Sequence, residues 1–399
     1  MLKKCLFMML VLTHLFAPAA LAQADNLKIA ILRFGPTIAM DITEGAILDV
    51  LESYGFISAE ENRLLEQREN LEGENLTVYW GDAGYDLPTV NLMVEAALDR
   101  EPDVLVALNT PVAQVAVAGT VDMDDPPTVL FSAVAAPYKA GIASSSCIKP
   151  AHVGGAETLV EYKPVFEALR LQDPGLRRVG FLRSSTLASG EDAHDRISVI
   201  AEQMNIEVLE AGVVSLSDVP GAAEGLVERG AEALLVSGDS MMSAGIPIVV
   251  SIANDNGLPV FHPSMGSISL GVTIGAGFSS YYSRGDNIGV ILAGRLNGDI
   301  EIASTAIHID SSNLLGVNLD SADAQDVEIS DDLLAQADTV FSDGRLSQAS
   351  PLVLRAIARR GRIVPLEQRQ ADDMAWLASL HCTDEMIAEQ QAALDAAEK

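Results

Sequence analysis

The stretch DVLVALNTPVAQVAVAGTV, residues 103–121, decides the fold. Residues 104–108 form a short run with no polar side chain, the pattern of a strand buried on both faces of a parallel sheet. Asn109 and Thr110 end it. Thr110 suits a helix N-cap, and Pro111 suits the first helical position, where its missing N–H costs no intrahelical bond. The corner therefore predicts backbone N–H groups and one hydroxyl beyond the carboxyl edge of a sheet. Open α/β sheets bind ligands at that edge, and helix N-termini there receive anionic groups such as carboxylates. A capped helix with no ligand is the other reading of the same residues, so the neighbouring segments decide.

Toward the N-terminus, 27–32 (LKIAIL) and 76–80 (LTVYW) read as strands, each followed by a helical apolar stripe, at 41–55 and 86–98. Toward the C-terminus, 128–131 is another strand. After a Gly/Ser/Pro-rich passage at 143–155 the rhythm restarts, with strands at 178–182, 207–211, 233–236 and 260–261 and helices at 192–204, 219–228 and 246–256 between them. A glycine-interrupted extended stretch follows at 271–277, then a helix at 287–295 and a last strand at 306–309. This alternation predicts an α/β chain of two doubly wound parallel-sheet lobes joined by hinge crossovers. Lobe 1 is expected at 27–145 and 272–300, and lobe 2 at 150–270 and 301–342, with hinges near 143–155, 271–277 and 300–306. Residues 343–399 are expected to form a helical extension, with SPLVLRAIARRGRI at 350–363 as a basic amphipathic helix. One or two more helices over 372–399 place Trp376 and Leu380 on an apolar face.

The first 22 residues have two lysines, an apolar run and a small-x-small end at Ala20-Leu21-Ala22, which predicts a secretory leader cleaved before Gln23 and a periplasmic mature protein. No later run is long enough to predict stable membrane insertion. Lys and Arg number 25 against 56 Asp and Glu, a net charge of −31, which argues against nucleic acid as a partner. The tail from 343 onward, with nine acids and seven bases, is nearly balanced, so the acidic excess lies in the lobes. Beyond Cys5 of the leader only Cys147 and Cys382 remain, and spacing does not decide between a bridge and two separate thiols.

The order of segments resembles the ABC-type substrate-binding proteins of the periplasmic type I class, the group with tryptophan- and tyrosine-type uptake binders. The matching pieces are GENLTVYWGDAGYDLPTVNLMVEAAL, DVLVALNTPVAQVA, PTVLFSAVAAPYKAGI, RRVGFLRSS, ALLVSGDS, LPVFHPSMGSISLGVTIGAGFSSYY and DDLLAQADTVF, in that order across most of 27–341. The resemblance implies a two-lobed fold and capture of a small polar organic ligand, an amino acid or related metabolite, for delivery to an ABC permease by a monomeric binder. Three departures stand against it: Ala135-Ala136 and Ser279-Ser280 occupy positions where the family usually carries acids, and KPAHVGGAETL replaces its glycine-rich crossover.

Strand ends supply the expected pocket. Phe34, Asp82, Thr110 and Ser132 come from lobe 1, and Ser184, Ser185, Asp239, Ser240 and Ser264 from lobe 2, with Tyr282 from the paired tyrosines. Hydroxyls and N–H groups suit a carboxylate, an acid suits an amine, and Phe34 and Tyr282 suit a ring. Asp239 has two readings, ammonium acceptor or helix cap, and the resemblance favours the first. An enzyme is poorly supported, because the chain has no G-x-S-x-G elbow, P-loop, G-x-G-x-x-G or H-E-x-x-H. His152, His194, His262, His308 and His381 lack metal-ligand spacing, so neither metal nor cofactor is expected. Only His262, at a strand end, keeps a hydrolase in view, and a periplasmic sensor subunit on the same fold is the remaining alternative.

Overall fold

Strand β4, Val104–Leu108, lies in the middle of a seven-stranded sheet, every residue buried, between β1 (Leu27–Arg33) and β5 (Thr128–Val134). The computed structural model describes residues 26–278, 281–310, 313–351, 353–354 and 364–397. Ile29 registers with Val104 and Leu105 with Val129, all parallel. β3 (Leu76–Asp82) pairs with β1, and the two-residue β2 (Leu71–Glu72) runs antiparallel on its outer edge. On the other side β5 pairs with β6 (Val153–Thr158), which carries the sheet's last strand, β12 (His308–Asp310).

The second sheet has eight strands. β7 (Arg178–Ser184), β8 (Glu207–Val213), β9 (Ala233–Val236), β10 (Val260–Ser264) and β11 (Ile274–Phe278) are parallel. β13 (Leu314–Asn318) joins β11 antiparallel, followed by β14 (Thr339–Ser342) and β15 (Arg345–Ala349). The two sheets of the expected α/β architecture are thus mostly parallel, with antiparallel strands at their margins.

Helix placement follows from local sequence. Pro sits in the first turn of helices Leu87–Leu98 and Thr110–Thr120, where the absent N–H has no intrahelical partner. Asn205 and Gly257, both in the left-handed region, end helices Ala188–Met204 and Ser240–Asn256. Helix Tyr281–Asn297 packs along helix Ile38–Ser53 so closely that a Cβ on Gly285 would collide with the Thr43 carbonyl, and only glycine permits that approach.

The lobe boundaries differ from those expected. β6 and β12 belong to the first sheet although 150–158 and 301–310 were assigned to lobe 2, and β11 belongs to the second sheet although it was assigned to lobe 1. The chain crosses between lobes at 159–162, between β11 and helix Tyr281–Asn297, and between β12 and β13. Each crossing lies a few residues after an expected hinge; β6 and β11 begin inside the passages at 143–155 and 271–277 and run on past them within one sheet. The 300–306 stretch is also internal to lobe 1, where Ile302 joins the core beside Leu377.

β13, β14 and β15 were not expected as strands. Asp343 (φ 54°) and Gly344 (φ 70°) turn the β14–β15 hairpin, the Asp-Gly pairing that a type I′ turn requires, so the extension begins with a strand rather than a helix. Helices Leu366–Ser379 and Asp384–Ala397 follow as expected. Leu377 and Leu380 pack into the lobe 1 core with Trp376 at its edge. Cys147 and Cys382 are bonded at an S–S distance of 2.08 Å, tying this tail to lobe 1 across 235 residues of sequence. The expected leader at 1–22, Ser279-Ser280 and most of the basic segment 350–363 lie outside the described residues. No helix among the described residues is long and apolar enough to cross a membrane.

Candidate functional site

The carboxyl edges of the two sheets face each other across a narrow cleft with a cavity volume of about 40 Å³. Small-molecule sites span about 300–1,000 Å³, so a ligand of that class needs the lobes further apart than they stand here. From lobe 1 the cleft is lined by Gly35, Thr37, Ala39, Met40 and Tyr85, by Asn109 and Thr110, and by Ala133, Ala135 and Thr158. Ser189, Gly238, Ser240 and Ser243 face them from lobe 2. Val160 on the first crossing and Tyr281 and Arg284 after the second complete the wall.

The corner after β4 has unusual backbone. Asn109 has φ 78° and Ala133, at the neighbouring end of β5, has φ 57°. Residues other than glycine held there cost on the order of 1–3 kcal/mol and concentrate where a fixed backbone serves a ligand. Asn109, not Thr110, is the N-cap, and its side chain makes no capping bond. Thr110 is the first helical residue, so its hydroxyl is not used as a cap and lines the cleft. Ser240 likewise opens helix Ser240–Asn256, and Ser189 is the second residue of helix Ala188–Met204. The hydroxyl oxygens of Ser189 and Ser240 are buried with no protein hydrogen-bond partner, although both border the cleft. A buried hydroxyl without a partner costs about 1–3 kcal/mol, so a ligand acceptor or donor there recovers that energy.

Of the ten residues expected at the site, Thr110 and Ser240 line the cleft, and the other eight do not. Phe34 is fully buried and meets Tyr85 edge-on at 5.5 Å, leaving Tyr85 as the aromatic at that corner. The Tyr85 hydroxyl donates to the Pro36 carbonyl at 2.6 Å, and burial, with Asp82 nearby, pushes its pKa up, so it stays neutral. Asp82 is held by the Arg33 Nε at 2.6 Å. Arg33 also pairs with Glu44, which is buried and further held by Arg68. Ser132 is enclosed against helix Tyr281–Asn297 with its hydroxyl 3.5 Å from the Arg284 carbonyl, and the Ser185 hydroxyl donates to the Val213 carbonyl at 3.1 Å. The Ser184 hydroxyl pairs with Thr186 at 3.1 Å. Ser264 reaches the Tyr281 hydroxyl at 3.4 Å from below the cleft, and Tyr282 turns away to Asp49 at 3.1 Å.

Asp239 is the largest change. It is 1% exposed and caps helix Ser240–Asn256, accepting the Met242 N–H at 2.9 Å on one oxygen. Its other oxygen accepts the Ser184 N–H and the Ser237 hydroxyl. Burial pushes its pKa up. The helix-cap reading describes this carboxylate, whose acceptors face the protein and not the cleft.

Residues the sequence did not single out are Tyr85, Asn109, Ser189, Ser243, Tyr281 and Arg284. Tyr281 adjoins the expected Tyr282, and one helical step of 100° decides which of the pair faces the cleft. Arg284, whose guanidinium carbon stands 5.4 Å from the Tyr281 ring centroid, carried no sequence signal. The described lining contains this one cation and no carboxylate. Among the described residues no group of three His, Cys, Asp or Glu could hold a metal ion.

The comparisons with known proteins agree with this architecture. A "Tyrosine-binding protein" of Clostridioides difficile is 25% identical over 280 residues, 69% of this chain and 78% of that protein. A conserved domain protein of Vibrio cholerae superposes with a TM-score of 0.71 at 23% identity, covering 79% of this chain and all of the other. An ABC domain from Streptococcus pneumonia in complex with L-Trp gives a TM-score of 0.69 at 20% identity with the same coverage, a likeness of fold. The family model for ABC transporter substrate binding proteins matches residues 63–341, most of both lobes, and the chain belongs to that family.

Proposed function

We propose that this chain captures a small polar organic ligand between its lobes, outside the cytoplasm, and hands it to the permease of an ABC transporter. One observation carries the reading: hydroxyls at three helix starts, Thr110 from lobe 1 and Ser189 and Ser240 from lobe 2, border the same interlobe cleft, two of them buried without protein partners. Family membership supports the transport role. The relatives named for tyrosine and crystallised with L-Trp support an amino acid or a related carboxylate as cargo. The protein acts as a binder, not an enzyme, and works as a monomer in the periplasm after loss of residues 1–22.

A thermal-shift screen of the purified mature protein against a metabolite panel tests the reading. A saturable ligand that is released unchanged supports it, and turnover of that ligand sinks it. Mass spectrometry of the exported protein tests processing, with Gln23 as the expected first residue. Loss of ligand uptake on deleting the partner permease separates transport from sensing.

A further inference from the structure

We infer that the cleft selects an organic carboxylate without an ammonium group, such as a 2-hydroxy acid with an apolar or aromatic body, over the corresponding amino acid. The inference deepens the binding reading above and rests on it.

Five helices begin at the cleft. Met40 lies in the first turn of Ile38–Ser53, Thr110 begins Thr110–Thr120, Ser189 lies in the first turn of Ala188–Met204, Ser240 begins Ser240–Asn256, and Tyr281 begins Tyr281–Asn297. Each N-terminus carries roughly half a positive charge together with N–H groups that lack intrahelical acceptors. Arg284, in the first turn of the last of these helices, adds a full positive charge to the same wall. The unpartnered Ser189 hydroxyl, on a residue 5% exposed, and that of Ser240 are donors at the same place. Arg284, the two hydroxyls and the starts of Thr110–Thr120 and Tyr281–Asn297, which hold no acid in their first turns, favour negative charge.

Nothing described on the wall offers the opposite charge. The acids at these helix starts are used within the protein: Asp41 pairs with Arg33 and Arg68, Glu191 with Arg183, and Asp239 caps its own helix. Glu157 precedes the lining residue Thr158 but is buried, hydrogen-bonded to Tyr138 and raised in pKa by burial. An α-ammonium placed beside Arg284 and the starts of Thr110–Thr120 and Tyr281–Asn297, which carry no acid in their first turns, is repelled and loses its water without gaining an acceptor of full charge. A hydroxyl at the same position is neutral and can accept as well as donate. Met40, Tyr85, Val160 and Tyr281 supply the apolar part of the wall, which suits an organic body rather than an inorganic anion.

Isothermal titration calorimetry on the mature protein with matched pairs decides it: L-tryptophan against indole-3-lactate, and L-tyrosine against 3-(4-hydroxyphenyl)lactate, with tryptamine and inorganic phosphate as further probes. The expected result is a hydroxy acid bound at least about tenfold more tightly than its amino acid in one pair, with no binding of tryptamine. Arg284→Gln should weaken the hydroxy acid by about tenfold to hundredfold, the range for a lost hydrogen bond to a charged group. Because Arg284 is largely buried, the Ser189→Ala, Ser240→Ala double variant is the second test. It should weaken the hydroxy acid several-fold with the melting temperature unchanged, and unchanged affinity there overturns the inference even if Arg284→Gln fails to fold. Equal or tighter binding of the amino acid, or binding of tryptamine, overturns the inference and leaves the solute-binding reading standing. Binding of phosphate alone overturns the organic class. No saturable binding by any probe overturns the inference, and a blank metabolite screen alongside it overturns the reading beneath it.

Discussion

The Ser184 backbone N–H donates to the Asp239 carboxylate at 3.0 Å, joining the end of β7 to the start of helix Ser240–Asn256 in lobe 2. With Met242 and Ser237 as further donors, this carboxylate ties one edge of the cleft together from beneath. Asp239→Ala removes a helix cap and leaves buried donors unpaired, so it should cost at least about 2 kcal/mol of stability. Ligand affinity of the folded fraction should change by less than about tenfold. Urea unfolding and calorimetry on the same variant separate the two effects. Full stability with lost affinity would return Asp239 to the ligand.

Thr110→Val tests the facing lobe. The residue is 3% exposed, its hydroxyl borders the cleft, and valine keeps nearly the same shape. If the hydroxyl donates to a charged ligand oxygen, the substitution should raise Kd about tenfold to hundredfold without lowering the melting temperature. Unchanged Kd would remove Thr110 from the ligand set.

Lys139 of lobe 1 and Asp195 of lobe 2 form an ion pair at 2.5 Å, and their hydrogen bond holds the Asp195 carboxyl below its usual pKa. Both side chains are more than a third exposed, so the pair contributes no more than about 1 kcal/mol. Even so, a contact between lobes is made only when they are close together. Ligand binding should close the lobes about the three crossings, lowering the radius of gyration in solution scattering. Asp195→Asn should shift the ligand-free protein toward the open profile, with an effect that fades at high salt. Identical profiles with and without saturating ligand would refute closure.

How much of this could be read from sequence depended on the length scale of the interaction. Strands such as Val104–Leu108 and the helices after them were legible, because buried runs and capped stripes are local patterns. β6 and β13 were not: five or six residues pair with strands set by which side of a crossing the chain has reached. The site showed the same division. Strand ends marked the right edge of each lobe, yet Phe34 faces the core where Tyr85 faces the cleft, and Tyr282 reaches Asp49 where its neighbour Tyr281 lines the wall. Asp239 carried a cap signature and a binding signature at once, and only its three donors distinguish them.

Cys147 and Cys382 sit away from the cleft lining, beside contacts that hold helix Asp384–Ala397 to lobe 1. Gln390 accepts from the Ser145 hydroxyl at 2.6 Å and the Cys147 N–H at 2.9 Å, yet the helix has no fully buried residue of its own. The bridge adds a covalent tie to a small set of contacts, among them Gln390 donating to the Ser146 hydroxyl at 2.9 Å. The double variant Cys147→Ser, Cys382→Ser should lose about 2–4 kcal/mol of stability. Limited proteolysis should then release the last helix first, with ligand affinity unchanged. Equal protease resistance in the two proteins would show that the noncovalent contacts suffice.

His262 sets an acid limit on the fold. It is 1% exposed in β10, and burial, with the Arg284 guanidinium as the second cause, pushes its pKa down to about 3. In the unfolded chain the same imidazole titrates near 6.5, so between those values the unfolded state binds the extra proton. Stability is therefore at its full value above pH ~6.5 and falls as the pH drops toward about 3, by up to about 1.4 kcal/mol per unit from this one group. Asp239, whose pKa is raised by burial, acts in the opposite sense: its folded state takes up a proton first, so part of the loss is offset at the acid end of the window. His262→Gln keeps a neutral polar side chain and cannot take up the proton. Urea unfolding at a series of pH values should show a shallower slope between pH 6.5 and 4.5 in the variant than in the native chain. Parallel curves would mean that His262 titrates alike in the folded and unfolded chains and that its burial does not hold it neutral.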